Sequence, residues 1–90
     1  MARTAVEDLE RLIVMLSLPS NASARVARSL RTLERFPRLG VALGGRWDGR
    51  RCLVGPWRWM LVVYEYREEE DRVVVVTVQD ARSSTAVTGT

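Results

Sequence analysis

The sequence predicts an α+β domain over residues 1–84, with an N-terminal helical hairpin packed on one face of an antiparallel β-sheet. Two segments with helical apolar spacing come first, split by Leu18-Pro19-Ser20-Asn21. Two long β-rich runs, Trp57–Tyr66 and Arg72–Gln79, come last, joined by a short charged turn. Such a turn makes the two runs antiparallel neighbours, and the helices then cover one side of the sheet they build.

Thr4-Ala5-Val6-Glu7 has the pattern of a capping box, with Thr4 as N-cap and Glu7 reaching back. Val6, Leu9, Leu12, Ile13 and Leu16 follow at helical spacing, so the first helix is expected from about Ala5 to Ser17. The second carries Ala22, Val26, Ala27, Leu30 and Leu33 on one face. It stops at Phe36-Pro37, because a residue before proline disfavours helical dihedrals. Gly40, Gly44 and Gly45 mark a loop, and Asp48-Gly49 signals a hairpin between two short extended pieces. Arg51–Val54 reads as a strand. Trp57–Tyr66 is apolar on both faces and is expected to be central. Residues 85–90 are small and polar and are expected to be disordered.

One cysteine and no histidine exclude an internal disulfide and a zinc site of the usual kind, and no metal or cofactor is expected. Cys52 sits in an expected strand with nothing to activate it, which favours a buried thiol. The apolar run Leu12–Leu16 is too short to span a bilayer, and Glu7, Asp8 and Glu10 before it are wrong for a signal peptide. A cytoplasmic protein without a membrane partner is expected.

All fourteen basic residues are arginine. Residues 25–58 hold nine of them against Glu34 and Asp48, while residues 59–80 hold two against six acids. The first half is therefore a candidate anion-binding region. Arg25, Arg28, Arg31 and Arg35 share one face of the second helix, which reads equally well as a solvated face.

The order of motifs resembles the RelE/ParE superfamily of toxins from type II toxin–antitoxin modules, over about Thr4 to Ser84. Residues 5–12, AVEDLERL, look like that family's first helix. Pro37-Arg38-Leu39-Gly40 looks like its Pro-x-x-Gly, and Trp57-Arg58-Trp59-Met60-Leu61 like its Tyr-Arg-x-x-Tyr strand. Val76-Thr77-Val78 leading to Arg82 looks like its last strand and trailing arginine. Leu61 stands where the family carries an aromatic, and Ser83, Ser84 and Thr85 stand where RNA-cleaving members carry a tyrosine. Only Met1-Ala2-Arg3 precede the cap, so the family's first edge strand is expected to be missing or truncated.

The resemblance implies a cognate antitoxin as partner and three functional readings. One is a ribosome-dependent mRNA endonuclease, with Arg58, Arg82 and Tyr64 as catalytic candidates and Arg46, Arg50 and Arg51 seating the RNA. Cleavage also needs proton carriers, and Tyr66, Glu65 and Asp80 are the remaining candidates. The second is a non-enzymatic, ParE-like inhibitor of DNA gyrase, for which Trp47, Trp57 and Trp59 are either anchors or core. The third is an inactive relative that binds an antitoxin. Arg58 and Arg82 are expected to converge at one end of the sheet with Arg50 or Arg51 nearby, unless Glu65 or Asp80 claims them. Residues 57–63 and 73–76 are more apolar than one helical layer can cover, which predicts a leftover apolar docking patch.

Overall fold

The computed structural model describes residues 2–82. Two helices, α1 (Arg3–Met15) and α2 (Ala22–Arg35), precede four strands. These are β1 (Val41–Ala42), β2 (Arg51–Val54), β3 (Met60–Arg67) and β4 (Arg72–Asp80). The strands form one antiparallel sheet in sequence order, with β3 between β2 and β4. The expected α+β class holds. Among the described residues no strand precedes α1, and no helix is long and apolar enough to cross a membrane. The tail at 85–90 lies outside the described residues.

Helix α1 starts earlier than its capping box predicts. Ala2 is the N-cap, Thr4 lies inside the helix, and no side chain caps the end. The Ala2 N–H instead donates to the Val75 carbonyl at 2.9 Å, so the chain enters the helix straight from the edge of β4. The helix ends on a Schellman turn. Ser17 takes φ +50°, Leu18 N–H returns to Ile13 O at 3.0 Å, and Ser17 N–H reaches Val14 O at 3.4 Å.

The helix-facing core joins Ala5 and Leu9 of α1 with Val26 and Leu33 of α2. They meet Met60, Val62 and Tyr64 of β3 and Val75 and Val78 of β4. Each aliphatic side chain fully buried there contributes about 1.5–3 kcal/mol. Val75 and Val78 are three apart, which an unbroken strand would put on opposite faces. A bulge resolves this, because the register steps from Val63↔Thr77 to Tyr64↔Val75 and leaves Val76 unpaired.

Two strand expectations are corrected. The run expected from Trp57 begins at Met60, and residues 57–59 form a turn closed by Met60 N–H to Trp57 O at 3.0 Å. The Gly55-Pro56 turn extends through the two tryptophans because their rings pack together instead of alternating across a sheet. The hairpin expected around Asp48-Gly49 forms between β1 and β2, but its connection is longer than a two-residue turn. Residues 45–47 make one 3-10 turn, and Gly45 and Gly49 take φ +60° and +86° within the β1–β2 loop.

That loop also covers the second face of the sheet. Leu61 and Val63 point away from the helices and are buried by Cys52, Leu43, Trp47 and Ala81. The expected apolar patch is therefore covered at Leu61 and Val63, while Val54 and Val41, register partners of Leu61 and Cys52 on the same face, stay exposed. Large apolar side chains are also exposed at Val14 and Met15 on α1 and at Phe36 and Leu39 before β1.

Candidate functional site

Pro37-Arg38-Leu39-Gly40 leaves α2 and is clamped from beneath by β2 and β3. The Tyr64 hydroxyl donates to the Pro37 carbonyl at 2.8 Å and accepts from the Gly40 N–H at 2.9 Å. Arg51 adds donors to Gly40 O at 2.8 Å and Arg38 O at 3.3 Å. Tyr64 is wholly buried. Its phenol is pushed up from the ordinary value mainly by burial, against the opposing pull of the Gly40 hydrogen bond and the Arg51 charge. Tyr64 and Arg51, offered by the sequence as a catalytic group and an RNA contact, are thus both engaged in holding this loop.

The remaining arginine candidates fall into two groups. Arg46 and Arg50 flank Trp47, with guanidinium carbons 5.7 Å and 5.9 Å from its ring. Together with Val76 they line a cleft of about 380 Å³. The bulge therefore directs Val76 to the loop-covered side. Arg50 pairs with Glu65 at 3.1 Å, its Nε is buried without a partner, and the other oxygen of Glu65 meets Arg67 at 3.5 Å.

Arg58 and Arg82 lie at the opposite end of β3. Arg82 grips Asp80 with two hydrogen bonds, from Nε at 2.9 Å and Nη2 at 2.8 Å. Asp80 is held below the usual carboxylate range, chiefly by those bonds. Arg58 is exposed in the turn. Met60 pairs with Asp80 while Arg51 pairs with Tyr64, so the two arginine groups are separated by about 13 Å of strand. The structure does not bring Arg50 or Arg51 to Arg58 and Arg82.

At the Arg58 end the tryptophans form a ladder. Arg25 of α2 lies 4.4 Å from the Trp57 ring, Trp57 and Trp59 stack at 6.0 Å and 21°, and Arg82 lies 5.0 Å from the Trp59 ring. Each cation–ring contact contributes about 0.5–1 kcal/mol at a partly exposed site. The ladder ties the first turn of α2 to the end of β4. Both indoles also pack on the core edge, so their anchor and core readings merge.

Sequence reasoning missed Asp8. Its Oδ2 accepts from the Thr77 hydroxyl and from the Val78 N–H at 3.3 Å, while Oδ1 faces Arg11 at 3.6 Å. Asp8 thereby satisfies donors on the outer edge of β4. The signal was an acid beside the apolar stripe of α1, next to buried Leu9.

Cys52, like Tyr64, is buried and its pKa is raised by burial. Both keep their protons to higher pH in the folded chain than in the unfolded one. Their stabilisation is complete below the ordinary thiol pKa of about 8.5 and is lost as pH rises through the folded values. The urea midpoint should therefore fall between pH 8 and pH 11. Cys52→Ala should flatten the lower part of that fall, and an unchanged profile would place the thiol outside the linkage.

The family model describing the ParE toxin of the type II toxin–antitoxin system parDE matches residues 1–84. No curated protein and no solved structure matches the chain.

Proposed function

Since the chain belongs to the ParE toxin family of type II toxin–antitoxin systems, we propose that it acts in the cytoplasm by binding DNA gyrase, without catalysis. Membership makes it the toxin of such a module and gives it a cognate antitoxin as partner. The observation that carries the non-catalytic reading is the Tyr64 hydroxyl, buried and bonded to Pro37 and Gly40. RNA cleavage by a 2′-hydroxyl needs a base and an acid within reach of the reacting oxygens. The chain has no histidine or lysine. Its other candidate carriers are engaged too: Glu65 with two arginines, Asp80 with Arg82, and the Tyr66 hydroxyl with Asp71 at 3.0 Å. Binding requires none of these groups to be free.

The test is a pair of assays on one preparation. Supercoiling by purified gyrase should be inhibited in proportion to added toxin. Messenger RNA on translating ribosomes should stay intact at the same concentrations. Ribosome-dependent cleavage with unaffected supercoiling would overturn the reading in favour of an endonuclease. Inactivity in both, from a folded sample, would favour the antitoxin-binding relative.

A further inference from the structure

We propose that the arginine face of α2, extended by Arg58, binds the phosphate backbone of double-stranded DNA without reading its sequence. Arg25, Arg28, Arg31 and Arg35 recur on one side of the helix over about 15 Å of its axis. Arg28, Arg31 and Arg35 are exposed and Arg25 is half-buried. Among the described residues, none of the four and not Arg58 has an ion-pair partner. Most of the chain's other arginines do have one, namely Arg3, Arg11, Arg38, Arg50, Arg67, Arg72 and Arg82. The uncompensated charge is therefore concentrated on this face, and it forms a row.

A row of guanidinium groups with no apolar floor suits a linear polyanion. The competing occupant is an acidic helix of a protein partner. Such a helix would be drawn to the apolar groove between α1 and α2, lined by Val6, Leu9, Val26, Ala27 and Leu30. None of the four arginines lines that groove. The aromatic neighbours favour a duplex over a single strand. Unpaired bases need free ring faces to stack on. Trp57 has Arg25 against its ring and Trp59 stacked with it, and at the other end the row borders one exposed ring, Phe36, 5.6 Å from Arg35, a single face and not a series of platforms. Contacts to phosphate alone give position and affinity without sequence preference. The Arg25–Trp57 contact holds one guanidinium in place, and exposed Arg58 follows Trp57 directly in the chain.

The inference does not depend on gyrase being the target, and its test uses no gyrase. Binding of the full chain to a fluorescent 20-base-pair duplex of arbitrary sequence is measured by anisotropy between 50 and 200 mM salt. Four to five phosphate contacts predict a slope of log K on log salt of about −4. Arg28→Gln with Arg31→Gln should reduce that slope by about 2, and Arg58→Gln alone by about 1. Arg67→Gln, on the far end of β3, should leave it unchanged. All four side chains are at least half exposed or partnered only at the surface, and melting curves check that each variant folds. A parental slope shallower than −2, or a slope the double variant does not change, would overturn the proposal. So would tighter binding of a single-stranded RNA of equal length at the same salt, which would assign the row to RNA.

Discussion

Replacing Gly40 with alanine should destabilise the fold by about 3 kcal/mol, the upper range for overpacking a tight site. An added Cβ would stand 2.8 Å from the Cys52 carbonyl oxygen and 2.8 Å from both Cε1 and the hydroxyl of Tyr64. None of these atoms has an easy way to retreat. The carbonyl belongs to the β2 backbone, and the phenol is buried and fixed by two hydrogen bonds. The loop must lift, and lifting it costs both bonds and the Arg51 contact to Gly40 O. For a chain of this size about 3 kcal/mol lowers the melting temperature by roughly 12–24 °C. Thermal melting followed by circular dichroism reads this directly. A shift below about 5 °C would mean that the loop is not clamped as described.

Asp8→Ala should be the second large loss, about 2–3 kcal/mol, because it strands polar groups at a half-covered edge. Thr77 loses the acceptor of its hydroxyl, Val78 loses that of its N–H, and Arg11 loses its counter-charge. Asp8→Asn keeps an oxygen and should recover part of the loss. The alanine variant also exposes an unpaired stretch of β4, and an open edge templates association with another chain. Urea unfolding measures the first effect and light scattering at rising concentration the second. Parental stability in the alanine variant would show that α1 packing alone secures the edge.

Both positions illustrate what could be read in the chain. The helices and the order of the long strands were legible because apolar spacing and Pro37 act locally. The turn at 57–59 was not, since two tryptophans separated by one residue look like strand alternation until their rings stack. The bulge was invisible because one valine replaces another in the Val73–Val76 run, and a register step leaves no trace in identical residues. Thr4 looked like a cap, but the helix, entered through the Ala2–Val75 bond, starts two residues sooner. At the candidate site, pairing of Arg82 with Asp80 was open to a sequence reader because the two are neighbours. The loop clamp was not, since Tyr64 lies 24 residues from Gly40 and 27 from Pro37 along the chain. Pro37 and Gly40 were visible as a helix stop, a loop marker and family marks, without the contact that joins them to Tyr64.

The stacked indoles have an optical consequence. Two of the three tryptophans sit 6.0 Å apart and nearly parallel, so their strong ultraviolet transitions couple. Coupled transitions split into a pair of bands of opposite sign, superimposed on the ellipticity of the backbone. Helix content fitted from the far-ultraviolet spectrum of this chain is therefore biased unless the pair is included. The same band offers a reporter with one location. It vanishes when the two indoles of the β2–β3 turn come apart, whether or not the helices have melted.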